Sequence, residues 1–211
     1  YYGIDGNLKN NSYGVARSVN KYSDQGFIVE QRYYDKDGNL AVNKYPGVGF
    51  AYSVMQYNER GQLLSFCVYG VDGEPVNNGS GIHKMSWVYG EDGALLMLAY
   101  YDKDGKLCNG AMGPVYCAMQ KSVFNDYGDL IYIVSYDADR KVLSEQYSRF
   151  DDNGNSVGYF RRYSGLLYEM DLKGNMKCYY PLSLDDSTER MVDSINHMLD
   201  SIGAAALTMY E

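Results

Sequence analysis

The sequence predicts an all-β fold, an antiparallel array of tandem β-hairpin repeats in an elongated or curled sheet, with one C-terminal α-helix. Composition is the first observation behind this. The 211 residues include 24 Tyr and 23 Gly against four Pro, and Tyr favours strands while Gly favours tight turns. The second is internal repetition. Shifted by 67 residues, 1–67 lie over 68–134 without a gap, with 21 of 67 positions identical, and such self-similarity marks a repeat architecture. The third is turn chemistry. Asp-Gly occurs at Asp5-Gly6, Asp37-Gly38, Asp72-Gly73, Asp92-Gly93 and Asp104-Gly105. Between strand-like runs it reads as a type I′ hairpin turn, with positive φ at both central residues.

The elements follow in order. Turn glycines fall at Gly6, Gly26, Gly38, Gly61, Gly73, Gly93, Gly105 and Gly128, spaced 20, 12, 23, 12, 20, 12 and 23. Twelve leaves room for one strand and a turn, and 20 or 23 for a short strand, a loop and a longer strand. Each unit is therefore a hairpin joined to the next by an Asn/Gly-rich loop. Ala51 to Tyr57, Gln62 to Tyr69 and Leu130 to Tyr136 are rich in aromatic and β-branched residues, as strands are. Leu95 to Leu98 and Ile131 to Val134 are apolar on both faces, which suits strands covered on both sides.

A degenerate cap occupies 135–180. There Asp139-Arg140 replaces Asp-Gly, and Arg149, Arg161 and Arg162 add positive charge. The hairpin domain is 1–180 and the tail is 181–211. Met191, Val192, Ile195, Met198, Leu199 and Ile202 recur at helical spacing, with Asp186 and Glu189 as a capping box and Gly203 as C-cap. Residues 183–211 hold six acidic residues and one Arg. The helix covers an open sheet edge or connects to a neighbouring domain. Starting at Tyr1 and stopping at Glu211, the chain reads as an excised or processed piece of something longer.

A formal net charge of −8 argues against nucleic acid and anionic membrane as partners. No stretch approaches the 18 consecutive apolar residues of a membrane span. The four cysteines, Cys67, Cys108, Cys117 and Cys178, lack C-x-x-C spacing. They read as buried free thiols, or with Cys108 and Cys117 joined across the loop they flank, so they do not name a compartment.

Catalysis finds little footing. The only imidazoles are His83, on a strand, and His197, on the tail helix four residues after Asp193. The carboxylate doublets Asp151-Asp152 and Asp185-Asp186 read as turn and cap residues. Asp35-Lys-Asp37-Gly38 has Gly at position four and no closing Glu, unlike a calcium-binding EF-hand loop. No enzyme activity, cofactor or metal is expected.

The turns Tyr34-Asp-Lys-Asp-Gly38, Tyr57-Asn-Glu-Arg-Gly61-Gln-Leu63 and Tyr136-Asp-Ala-Asp resemble the tyrosine–aspartate (YD, or RHS-type) repeats of bacterial surface and toxin proteins. The doubled Tyr before Asp-x-Asp-Gly is also similar to choline-binding-type cell-wall repeats. The resemblance covers roughly 1–180 and implies an exported, extracytoplasmic hairpin array. It implies no choline site, because Trp87 is the single Trp and follows Ser86 rather than Gly.

The tyrosines carry the functional expectation. Tyr22, Tyr57, Tyr89 and Phe124 precede one class of turn, and Tyr34, Tyr69, Tyr101 and Tyr136 the other. Stacked hairpins would align these rings as cross-strand ladders. Two readings follow: rings that pack the sheet, and grooves between rings that hold a glycan or peptide. The candidate ligand-binding residues are Tyr22, Tyr34, Tyr57, Tyr69, Trp87, Tyr89, Tyr101 and Tyr136. The expected function is a non-catalytic, extracytoplasmic binding module of a bacterial surface or secreted protein that recognises cell-wall or other glycan. The alternative is a protein-interaction or sensor ectodomain, or a structural spacer.

Overall fold

A computed structural model describes residues 1–4, 6–110, 116–163, 166–173, 175–179 and 197. The fold is all-β and antiparallel. Among the described residues, twelve strands follow one another in the sheet in chain order. They are β1 (Arg17–Tyr22), β2 (Ile28–Tyr34), β3 (Tyr52–Tyr57), β4 (Leu63–Tyr69), β5 (Lys84–Tyr89), β6 (Leu95–Tyr101), β7 (Met119–Phe124), β8 (Leu130–Tyr136), β9 (Val142–Phe150), β10 (Ser156–Tyr163), β11 (Leu166–Asp171) and β12 (Met176–Tyr179). The three runs expected as strands appear as β3, β4 and β8. The helix expected in 181–211 lies outside the described residues, apart from His197.

Two compact units divide the chain, residues 1–87 with 98–119, and 88–97 with 120–211. In the first, β1 to β5 pair in succession. In the second, β8 to β12 do the same.

The turns correct the type I′ expectation. Among the described non-glycine residues, Arg140 alone has positive φ, so the Asp of Asp-Gly does not take the left-handed conformation. The turn code is instead Asx-x-x-Gly. Asp35 illustrates it. Its carbonyl accepts the Gly38 N–H at 3.2 Å, and its N–H donates to Asn39 O at 2.9 Å. Its Oδ1 accepts the N–H groups of Asp37 and Asn39 at 2.9 and 2.8 Å. Gly38 sits at φ +86°. This is a three-residue loop whose last residue is left-handed and makes a bulge. One positive φ suffices, and the carboxylate satisfies two N–H groups the loop would otherwise leave to water.

Asn11, Asn58, Asn78, Asp102, Asn125, Asp137, Asp151 and Asp171 each accept the same pair of N–H groups, two and four residues on. Where glycine takes the first position, at Gly70 and Gly90, a Cβ there would meet an Asp carboxylate oxygen at 2.7 Å. Asp72 and Asp92 fill that space and accept the N–H of Glu74 and Ala94. The bulge shifts register at the last residue of the strand, between Gln56 and Tyr57 and between Ser135 and Tyr136.

The doubled asparagines divide their labour. Asn11 and Asn78 cap their own turns. Asn10 Oδ1 accepts the N–H of Lys36 at 2.6 Å, and Asn77 Oδ1 that of Lys103 at 2.7 Å. One loop is thereby tied to the turn at the far end of the following hairpin, 26 residues on, at the same place in both copies of the repeat.

Burial differs from strand to strand, from the exposed β1 to the covered β8. In β8, Tyr132 and Val134 are buried while Ile131 and Ile133 are half-buried, so the apolar runs have one fully covered face. Buried serines meet across the ladders as Ser65↔Ser86 and Ser135↔Ser144. Two rings lie over glycines. A Cβ at Gly61 would meet the Phe27 ring at 2.4 Å, and one at Gly110 the Tyr100 ring at 2.7 Å.

Arg140 holds at φ +63° the place that Gly38 holds, at a cost of about 1–2 kcal/mol. Arg140→Gly should therefore raise stability by about 1 kcal/mol in urea denaturation, and Gly38→Ala, whose new methyl meets nothing within 4 Å, should lower it by a similar amount. Backbone hydrogen bonds hold the exposed carboxyls of Asp35 and Asp151 below the ordinary aspartate value of 3.8. A depressed folded-state pKa contributes stability that is present above 3.8 and lost as pH falls through the folded value. The melting temperature should fall below about pH 4, and Asp35→Asn should lessen the fall while keeping the turn, since Asn11, Asn58, Asn78 and Asn125 already cap turns of this form.

Candidate functional site

Most of the turns follow an aromatic ring at the end of a strand. Tyr34, Tyr57, Tyr101 and Tyr136 directly precede an Asx cap, Tyr22 precedes Ser23, and Tyr69 and Tyr89 precede a glycine. What meets the ring faces divides the candidates.

The Arg17 guanidinium lies over Tyr34 with Cζ 4.9 Å from the ring centroid, and the two residues are directly opposite in the β1–β2 ladder. Tyr69 stacks on its cross-strand partner Tyr52 at 4.9 Å and 13°, and Arg32 lies 4.5 Å over Tyr52. Glu30 grips Arg32 at 2.6 and 3.0 Å, and that hydrogen bond holds the Glu30 carboxyl below its ordinary value. The His83 ring stands edge-on to Tyr69 at 5.3 Å, and its Nδ1–H donates to Val68 O at 2.7 Å. Lys84 Nζ approaches Tyr101 at 5.9 Å and Lys121 Nζ approaches Tyr136 at 6.0 Å. The series Tyr34, Tyr69, Tyr101 and Tyr136 thus meets cations or rings of its own sheet, each contact worth about 0.5–1 kcal/mol at exposed sites. Trp87 is buried at 9% exposure. Tyr89 is half-buried, and burial raises its phenol pKa. Tyr22 is 57% exposed, with its hydroxyl accepting a 3.4 Å hydrogen bond from Asn20 Nδ2.

Tyr57 differs. It stacks on Phe27 of the neighbouring hairpin at 5.0 Å and 21°. The pair lines an open groove of about 460 Å³ with Gln25, Val29, Met55, Gln56 and Leu64. Gln25 is exposed at its rim, while Gln56 turns to the ladder, its Oε1 accepting the Ser65 hydroxyl at 3.0 Å. This sets a stacked aromatic pair, with its outer face and edges toward the groove, beside a side-chain amide that both donates and accepts. Phe27 was not legible as a site residue because Ala94 stands in its place one repeat later. That break in the repeat was the available signal.

The second unit holds a buried polar cluster. The Tyr132 hydroxyl donates to Glu145 Oε1 at 2.7 Å, and the rings of Tyr132 and Tyr147, directly opposite in the β8–β9 ladder, lie 4.8 Å apart. Arg162, opposite Glu145 in the β9–β10 ladder, places Nη1 3.4 Å from Oε2. Burial first, and then the bond to Glu145, pushes the Tyr132 phenol far above its ordinary range; burial and the same carboxylate raise Tyr147. Beside the cluster, Lys141, Val142, Ser144, Glu145, Arg162 and Tyr163 line a shallow pocket of about 380 Å³. A neutral phenol held on a carboxylate by an arginine builds a rigid core rather than a nucleophile.

Asp151 is occupied by its turn, and Asp185-Asp186 lies outside the described residues. Cys67, Cys108 and Cys117 are thiols rather than disulfide partners of one another, with Cys67 and Cys108 pushed up in pKa by burial. Among the described residues, no group of three or more His, Cys, Asp or Glu is placed to hold a metal ion.

The structure defines an antiparallel β-hairpin repeat array. No family model matches the chain, and no curated protein does. Among matching solved structures, the crystal structure of TcdB2-TccC3-TEV is 16% identical over 69% of this chain, with a TM-score of 0.43. The matched part is 5% of that chain, so this protein spans a small fraction of the structure it resembles.

Tyr132→Phe should cost about 1.5–3 kcal/mol in urea denaturation, because it strips a buried carboxylate of a donor. Tyr163→Phe, at a residue 48% exposed, should change stability by less than about 0.5 kcal/mol.

Proposed function

We propose that this chain is a non-catalytic, extracytoplasmic binding module of a bacterial surface or secreted protein, and that it takes a cell-wall or related glycan in the groove of Phe27 and Tyr57. The observation that carries the reading is the groove itself: two stacked rings with the exposed amide of Gln25 at the rim. The apolar face of a pyranose packs against an aromatic wall, and its hydroxyls need groups that donate and accept in turn. The resemblance of the turns to YD and cell-wall-binding repeats supports the exported setting. The net charge of −8 favours a neutral ligand over a polyanion.

Co-sedimentation with insoluble bacterial cell wall tests this. The native chain should pellet with the wall. Gln25→Ala, which leaves the ring stack in place, should lose about fivefold in affinity, roughly 1 kcal/mol. Tyr57→Ala should lose binding, with its folded state checked by circular dichroism. Pelleting unchanged in both variants moves the site away from the groove. No pelleting of the native chain rejects the glycan reading in favour of a protein partner or a spacer.

A further inference from the structure

We infer that the outer edge of β1 is an acceptor for one further strand of this same repeat, laid antiparallel in a register that Tyr1 already sets. The first residues reproduce, bond for bond, a segment 67 positions on. Tyr1 N donates to Ala16 O at 2.5 Å, as Val68 N donates to His83 O at 3.0 Å. Lys9 N donates to Tyr1 O at 3.1 Å, as Val76 N does to Val68 O at 3.3 Å. Gly3 N to Asn7 O, at 2.8 Å, matches Gly70 N to Glu74 O, at 2.9 Å. Ala16 N to Tyr34 O matches His83 N to Tyr101 O, both at 2.8 Å.

In the later copy these bonds belong to the end of β4, which continues backwards along β5 through Cys67↔Lys84, Phe66↔Met85 and Ser65↔Ser86. Lys84, Met85 and Ser86 correspond to Arg17, Ser18 and Val19 of β1. The strand that fits is therefore an extended segment of the β4 class, in the register that Tyr1 sets. It carries a large apolar residue opposite Ser18 and a small one opposite Val19.

The edge is built for it and uncovered. Five of the six β1 residues are exposed, with Val19 at 41% and Tyr22 at 57%, whereas the same places in β5 include buried Ser86 and Trp87. Arg17 and Lys21 put charge along the free edge, the usual guard against unspecific pairing. A strand shifted by one residue would turn its side chains to the wrong faces, so the site discriminates by register as well as by composition.

The test adds a copy of Gln62–Cys67, with Cys67→Ser, immediately before Tyr1 of the full chain. The expected result is slowed amide exchange at Arg17 to Tyr22 and a melting temperature raised by about 3 °C or more. The same copy with one glycine inserted before Tyr1, and a Gly/Ser extension of equal length, should give neither. Equal protection in all three extended chains, or none in the in-register chain, overturns the proposal.

Discussion

One interaction recurs under everything else in this fold: a side-chain oxygen of Asp or Asn accepting two backbone N–H groups of its own turn. It lets a three-residue loop close with a single left-handed residue, which among the described residues Gly supplies at seven of these turns and Arg140 at another. The left-handed residue makes the bulge. The bulge shifts the register at the strand's last residue, and that residue is almost always aromatic. Ring position, ladder register and turn chemistry are thus one constraint seen at three scales. The exposed Asp35 and Asp151 carboxyls record it, held below the ordinary aspartate value by the N–H groups they accept.

A second layer ties the turns to one another. Asn10 and Asn77 each reach from the loop before a hairpin to the backbone of the turn after it, so successive loops on one side of the hairpins are held together. Repeat arrays derive much of their stability from such nearest-neighbour terms. The rings work in the same direction. Arg17 over Tyr34, Arg32 over Tyr52 and Tyr69 on Tyr52 all join adjacent strands.

The fold was readable because its determinants are local. Gly spacing and Tyr-rich runs placed β3, β4 and β8 within a residue. The turn type was misread because Asp-Gly is the tail of a longer signal. Asn58-Glu-Arg-Gly61 lacks Asp-Gly and folds the same way, and the first Asx, not the last, carries the cap. The site was less legible for the opposite reason. Which face of a ring is open depends on the residue across the ladder, and Arg17 or Lys84 can be matched to its tyrosine only once the register is known. Glu145 met Tyr132 and Arg162 through two ladders at once, which no spacing in the chain announces. Phe27 showed itself only as a departure from the repeat.

Strand order in this sheet is chain order. Every ladder therefore closes a short segment of chain, and the entropy lost in bringing partners together is small at each step. All-β proteins are slow folders when distant strands must find each other; a meander built this way avoids that search. Each hairpin can form from its own residues, then lie down on the one before it. During synthesis the array grows at one edge, at the strand most recently made, so each new hairpin emerges next to the strand it pairs with.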